Sequence, residues 1–276
     1  MSDNRRIITT AILSDEYKND VLKLLEICQK THGTDEVCFM EDEINALLDM
    51  PCYYLAYEGE KLVCFISVFT PDEISCEIYS LTHPGYENSN IFELLINTAI
   101  ETAEAEGIED VFFVTDSADS INSDYMKRYY IETDSSTMLM ELEINYPYAF
   151  KGILGSNEFI YDVKSEVTED NDEGSINHNL KFYSKGELIG FAQCEQYPNA
   201  FCIHHVEVVE PLRQKGHGKE LLSDTISYCL GIYSETSTGK KPVKFILNVD
   251  TDNEAAVKLY KGFNFNCTEQ IDYYYI

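Results

Sequence analysis

The segment Val206-Glu-Val208-Val209-Glu-Pro211-Leu-Arg213-Gln214-Lys215-Gly216-His217-Gly218-Lys219-Glu-Leu221-Leu222 combines residue types and spacings suited to holding an anion. An apolar strand pattern ends at a proline, a loop with two glycines follows, and an apolar helical pattern begins at once. Glycine lets the backbone curl so that successive amide N–H groups converge on one point. The helix N-terminus adds partial positive charge, and Arg213, Lys215 and Lys219 add whole charges around it. The ligand such a loop fits is a diphosphate. The run is not a Walker loop, because no Gly-Lys-Ser/Thr follows, and it lacks the third glycine of a dinucleotide fingerprint.

The elements that must position this loop occur twice. Tyr57-Glu-Gly-Glu-Lys-Leu62-Val-Cys-Phe65 resembles Tyr183-Ser-Lys-Gly-Glu-Leu188-Ile-Gly-Phe191, 126 positions later. Each reads as a strand, a glycine turn and a second apolar strand. A strand over 76–82 followed by Pro84 then parallels one over 202–209 followed by Pro211, an offset of 127. An amphipathic helix comes after each proline. The first carries Ile91, Leu94, Leu95, Thr98, Ala99 and Ala103 up to Gly107, and the second carries Leu221, Leu222, Ile226, Cys229 and Leu230 up to Gly231. Strands over 111–114 and 243–249 follow, then helices holding Tyr125-Met126-Lys-Arg and Leu259-Tyr260-Lys-Gly, then closing strands over 137–144 and 270–276. Such order at near-constant offset marks an internal repeat. It predicts two α+β domains, residues 1–147 and 148–276, joined near Tyr146-Pro147-Tyr148. The first opens with a predicted strand over 7–13 and two predicted helices, 16–31 and 41–49, for which the second has no room. There the sequence predicts a strand over 158–167 and an acidic, turn-rich run over 169–174.

A chain of 276 residues that is 44% apolar can build two cores. Its net charge of −29 argues against nucleic acid and anionic membranes as partners, since both need basic surface. Up to Pro147 there are 30 acidic and 8 basic residues, and after it 19 and 12, so the halves carry −22 and −7. An anion site belongs in the second half. The nine cysteines form no C-x-x-C pair, which suits a reducing cytoplasm better than a disulfide framework or a zinc site. No stretch has the form of a signal peptide or a membrane span. A soluble cytoplasmic protein without a metal is the expectation.

Pro211-x-Arg213-x-x-Gly216-x-Gly218 resembles the [Q/R]-x-x-G-x-[G/A] motif of the GNAT superfamily of N-acetyltransferases, which binds the pyrophosphate of acetyl-CoA. Downstream, Leu247-Asn248-Val249-Asp-Thr-Asp-Asn253-Glu-Ala255-Ala-Val-Lys-Leu259-Tyr260-Lys-Gly-Phe-Asn264-Phe265 resembles the strand, Asn-capped helix and Gly-Phe segment that follows in those enzymes. Asn264 stands where glycine is usual; asparagine also tolerates the left-handed conformation that closes a helix. The resemblance covers about residues 206–265. It implies two GNAT-like (acyl-CoA N-acyltransferase) domains, each a mixed, mostly antiparallel twisted sheet flanked by helices. It further implies direct transfer of an acetyl group from acetyl-CoA to a primary amine in a ternary complex. On it, the main chain of Val208 and Val209 holds the pantetheine arm and thioester. Arg213, Gln214, Lys215, Gly216, His217, Gly218 and Lys219 form the phosphate cradle, with Asn248 and Asn253 beside the cofactor. Tyr260 matches the family tyrosine that protonates the departing thiolate, a step open to a phenol of pKa about 10. Asn253 equally suits a plain N-cap, and Tyr260 a packed aromatic. The base is open: where some relatives carry a glutamate this chain has Asn248, leaving His204, His205 and Glu207 on the strand before the loop. Strand alternation puts His204 on one face and His205 with Glu207 on the other, unless a bulge intervenes.

In the first half the equivalent run is His83-Pro84-Gly-Tyr86-Glu87-Asn-Ser89-Asn-Ile91. Tyr86 replaces Arg213, Ser89 and Ile91 replace the two glycines, Met126 replaces Tyr260, and Glu87 adds negative charge. That half is expected to be a degenerate domain without a CoA loop, kept as scaffold or as a wall of the acceptor site. The alternative cover for that site is a partner subunit, as in a homodimer. Acidic surroundings favour a cationic amine. A non-catalytic CoA-binding or regulatory protein of the same fold is the competing reading.

Overall fold

A computed structural model of the chain describes residues 5–33, 38–86, 89–119, 125–126, 128–129, 131–145, 160–170, 175–236 and 242–276. It forms two compact units, residues 1–137 with 269–276, and residues 138–268. The predicted junction at 146–148 lies outside the described residues.

The sheet of the first unit contains β1 (Arg5–Thr10), β2 (Tyr53–Glu58), β3 (Lys61–Phe69), β4 (Ser75–Thr82), β5 (Asp110–Asp116) and the last strand of the chain, β12 (Asn266–Tyr275), in the order β1-β2-β3-β4-β5-β12. Only the β4–β5 pair is parallel. Strands β2 and β3 are buried residue after residue, so both faces of this sheet are covered. Val21, Leu24 and Cys28 of α1 (Asp15–His32) and Ile91, Leu95, Ile96 and Ala99 of α2 (Ile91–Glu106) join them in one apolar cluster.

Helix α1 starts where Ser14 Oγ accepts the Tyr17 N–H at 3.3 Å and stops at Gly33, which has φ 71°. The second predicted helix, 41–49, is not formed: only a 3-10 turn, Asp42–Ile44, is present. Thr70 accounts for the difference. Its carbonyl takes the Ala46 N–H at 2.8 Å, its hydroxyl takes the Leu47 N–H at 3.2 Å, and its own N–H donates to Asn45 Oδ1 at 2.7 Å. These bonds to the end of β3 replace the i−4 carbonyls a helix would need.

The second unit has the order β6-β11-β10-β9-β8-β7, from β6 (Thr133–Ile144), β7 (Asp162–Asp170), β8 (Ser175–Ser184), β9 (Glu187–Tyr197), β10 (Ala200–Val208) and β11 (Val243–Asp250). Strands β10 and β11 pair in parallel, and β7 to β10 are antiparallel. Burial alternates here. Leu180, Phe182, Ala192, Cys194, Phe201, Ile203, Phe245 and Leu247 lie in the cores shared with α3 (His217–Thr236) and α4 (Glu254–Gly262). The intervening Asn179, Gln193, Glu195, Cys202, His204 and Asn248 point the other way and are exposed or half-exposed. This polar face replaces the helix-covered face of the first sheet.

The repeat extends to irregularities. Pairing slips between Ala56 and Tyr57 in the β2–β3 hairpin and between Phe182 and Tyr183 in the β8–β9 hairpin, positions 126 apart. The closing strands follow a different plan from the predicted division at 147. β12 pairs with β5 in the first sheet, while Met140, Leu142 and Ile144 of β6 enter the second core. A repeat in sequence sets the order of elements but not which sheet an edge strand joins.

Candidate functional site

Strands β10 and β11 pair only where Ala200, Phe201 and Cys202 meet Lys244, Phe245 and Ile246. Both continue beyond, to Val208 and Asp250, so a wedge opens between them. On its other edge β10 stays paired to β9 as far as Val208, through a bulge between His204 and Glu207. His205 occupies the bulge with φ 45°. The extra residue changes which side chains share a face. His204 lies opposite Gln193 and Glu207 opposite Phe191, two positions apart, so His204 and Glu207 project from the same face. Simple alternation, which separates them, is thereby corrected.

Gly190 makes the bulge possible. A Cβ there would sit 2.3 Å from the Glu207 carbonyl oxygen and 2.5 Å from Leu221 Cδ2. The first unit has Cys64 at the equivalent position, and β3–β4 pairing runs unbroken from Cys64–Thr82 to Phe69–Glu77. Gly190 belongs to no motif of the loop, although a glycine inside a strand pattern is the usual sign of such an approach. Gly190→Ala is expected to cost about 1–3 kcal/mol by overpacking. Thermal denaturation together with CoA titration checks this, both falling if the bulge moves.

A 3-10 turn, Glu210–Leu212, carries the chain from the bulge to α3. Gln214 has φ 63° and Gly216 φ 90°, a curl that turns successive N–H groups to one side. Among the described residues the N–H groups of Gln214, Lys215, Gly216 and Gly218 make no hydrogen bond. The cationic side chains are used differently from the sequence expectation. Arg213 Nη2 donates to Glu207 Oε1 at 2.6 Å and its Nε to the Val208 carbonyl at 3.0 Å, while Lys215 Nζ donates to the Pro211 carbonyl at 2.9 Å. Arg213 braces the loop against the bulged strand, and Lys215 ties the loop to its own 3-10 turn. The Val209 N–H donates to Ile189 O at 2.9 Å and is not open to a ligand, whereas the Val208 carbonyl keeps a second lone pair beside its bond to Arg213.

His217, the first residue of α3, is held from behind: its Nδ1 lies 2.8 Å from the Tyr161 hydroxyl, and both side chains are buried. Burial and the charges of Glu220 and Asp224 push Tyr161 up to about 12, so it remains a phenol. Asp224 is itself raised above the ordinary 3.8 by burial and by Glu220. The folded chain therefore holds this proton more tightly than the unfolded one. The resulting stability is present below about pH 3.8 and is lost as pH rises through the higher folded value. Asp224→Asn is expected to raise Tm at neutral pH, the gain vanishing in scans toward pH 3.5.

Beside the loop, a depression of about 400 Å³ is lined by Lys219, Ala255, Lys258, Leu259, Gly262 and Phe263. Lys219 and Lys258 are exposed and have no partner among the described residues. Gly218 joins the parts: a Cβ there would lie 3.9 Å from Val208 Cγ2 and 3.8 Å from Leu259 Cδ2. Asn253 caps α4, its Oδ1 accepting the Ala256 N–H at 3.2 Å, and Asn264 ends that helix at φ 65°. Tyr260 is 9% exposed, in the cluster that holds Leu247 and Val249, with its ring 5.9 Å from that of Phe265. Its hydroxyl makes no hydrogen bond among the described residues, and burial raises its pKa.

Residues 138–265 match the Acetyltransferase (GNAT) family. The chain carries a GNAT domain. Over 99% of its length it superposes on 98% of a tandem GNAT protein from the clavulanic acid biosynthesis pathway, with TM-score 0.67 and 12% identity. A GCN5-related N-acetyltransferase from Sphaerobacter thermophilus is similar over 100% of this chain and 96% of that one, with TM-score 0.69 and 12% identity. At such identity the likeness is one of fold, the tandem GNAT arrangement. No curated protein matches the sequence. GNAT enzymes are acyltransferases that take an acyl-CoA and an amine.

The three candidate bases of the GNAT domain end in different surroundings. Glu207 is ion-paired with Arg213. His204 is exposed, its Nε2 3.8 Å from Glu195 Oε2. His205 is exposed within the bulge, and Asn248 is exposed on β11 without a partner among the described residues. In the first unit the corresponding segment is a 3-10 turn, Pro84–Tyr86, in which the Tyr86 hydroxyl bonds Glu58, and Ile91 and Met126 are fully buried. Glu87 lies outside the described residues. Among those residues no group of His, Cys, Asp and Glu could hold a metal ion, and no helix is long and apolar enough to cross a membrane.

Proposed function

We propose that the second unit binds acetyl-CoA and transfers its acetyl group to a primary amine by direct attack in a ternary complex. One observation carries this reading: the β10–β11 wedge, the unpartnered N–H groups of the glycine loop and the lysine-flanked depression meet at Gly218. A CoA thioester has a part for each. Its extended pantetheine arm suits the wedge, its diphosphate the N–H cradle, and its phosphorylated adenosine the depression between Lys219 and Lys258. Asn253 and His217 shape the two helix starts beside it.

Tyr260 donates its proton to the departing thiolate; burial keeps the phenol protonated, and among the described residues no group competes for its hydrogen. His204 takes the proton of the attacking amine. Glu207 is the poorer base, because protonating it would break its charge-assisted bond to Arg213. Cys202, on the face of His204, is raised by burial and by Glu195 and stays a thiol, which favours direct attack over an acyl-cysteine intermediate. The first unit, with an unbroken β3–β4 pairing and without counterparts of Gly216, Gly218 and Arg213, binds no acyl-CoA. The acidic chain favours a cationic amine as acceptor, and nine free cysteines, two with Sγ atoms 3.4 Å apart, suit a reducing cytoplasm.

Calorimetry with CoA and a thiol-release assay with acetyl-CoA and a panel of primary amines test the proposal. One site per chain and amine-dependent release are expected. Tight binding without turnover for any amine would point to a regulatory protein, and two sites would refute the silent first unit.

A further inference from the structure

We propose that Glu195 is a positioning residue that selects which nitrogen of His204 accepts the amine proton, an inference resting on the transfer reaction above. Glu195 lies opposite Cys202 on β9, two residues from Gln193, which lies opposite His204, so all four share the polar sheet face. The Glu195 side chain is 15% exposed and that of His204 46%, so the carboxylate is the deeper member of the pair. Its Oε2 faces His204 Nε2 at 3.8 Å. At 3.8 Å the two are in electrostatic contact rather than hydrogen-bonded, and the negative charge of the carboxylate favours the tautomer that carries its hydrogen on the nitrogen facing it. The lone pair then belongs to Nδ1. His204 itself stands two residues past Cys202, where β10 and β11 part, at the mouth of the wedge assigned to the thioester.

The chemistry balances with these groups alone. The amine nitrogen bonds to the thioester carbon, the C–S bond breaks, Nδ1 of His204 takes the proton lost from nitrogen, and the thiolate takes the proton of Tyr260. The other ionisable neighbours do not substitute for Glu195. Glu207 is held by Arg213, and Cys202 remains a thiol.

A four-protein cycle of wild type, Glu195→Gln, His204→Gln and the double variant tests the pairing. Glu195→Gln is expected to lower kcat about tenfold, with KM for donor and amine within about twofold and CoA affinity unchanged. In the His204→Gln background the same change should cost nothing further, because the two act as a unit. Multiplicative losses, or a rise in amine KM alone, would instead make Glu195 an independent contact to the amine and overturn the proposal. A second readout does not depend on turnover. The ¹⁵N shifts of His204 should report the Nε2–H tautomer in wild type and lose that preference in Glu195→Gln. An Nδ1–H tautomer in wild type sinks the pairing even if the enzyme is active, whereas the expected tautomer in a protein that acetylates no amine leaves the pair standing and removes only its role in transfer.

Discussion

Tyr260→Phe is expected to lower kcat about 100-fold while leaving KM for the acyl donor within about twofold, the low end of what general-acid catalysis supplies. The substitution removes one oxygen from a side chain that is 9% exposed and packed 5.9 Å from the Phe265 ring. Because the hydroxyl bonds nothing among the described residues, its loss leaves no protein group unsatisfied. Stability should therefore hold or rise while the chemical step slows. That contrast separates two roles for one residue. A tyrosine kept only to fill the cluster would give a variant with kcat intact. A tyrosine that protonates the leaving group gives a well-folded, donor-binding, slow enzyme. Steady-state kinetics beside a thermal scan decides, and unchanged kcat would reduce Tyr260 to a packing residue.

What could be seen in the sequence was what neighbouring residues decide among themselves. Asn253 as N-cap and Asn264 as the left-handed end of α4 follow from local preference, and both are found there. The glycine curl before α3 and the doubled element order are equally local. What escaped depends on distant partners. The helix over 41–49 has a suitable sequence, but Thr70 captures its amide groups. Gly190 gains its meaning only from the Glu207 carbonyl and Leu221 crossing above it. Tyr161 braces His217 from 56 positions away, with no periodic signal to join them. The bulge is the sharpest case. One extra residue reverses the face of everything beyond it, bringing Glu207 round to the side of His204 and within reach of Arg213. The sequence alone offers three bases; the bulge takes up His205 and lets Arg213 hold Glu207.

Gly216→Glu is expected to weaken CoA binding about 1000-fold, and a series of three variants shows why. Gly216 has φ 90°, which costs a residue with a Cβ about 1–2 kcal/mol, so the exposed loop of Gly216→Ala should relax when free and lose about tenfold in affinity by having to regain the strained curl on binding. Gly218 has no such backbone demand, and a Cβ there meets only ordinary contacts at 3.8 Å and 3.9 Å, so Gly218→Ala should bind nearly as well as wild type. The motif's tolerance of alanine at its last position then has a steric reason. Gly216→Glu adds to the strain a carboxylate beside four N–H groups that otherwise await a phosphate, and like charge excludes the ligand. Gly216 is exposed, so the fold should survive all three changes. Calorimetry gives the ranking. Equal affinity for the alanine and glutamate variants would mean that strain is everything and that no phosphate sits at residue 216. Wild-type affinity for the glutamate variant would move the donor site away from this loop altogether.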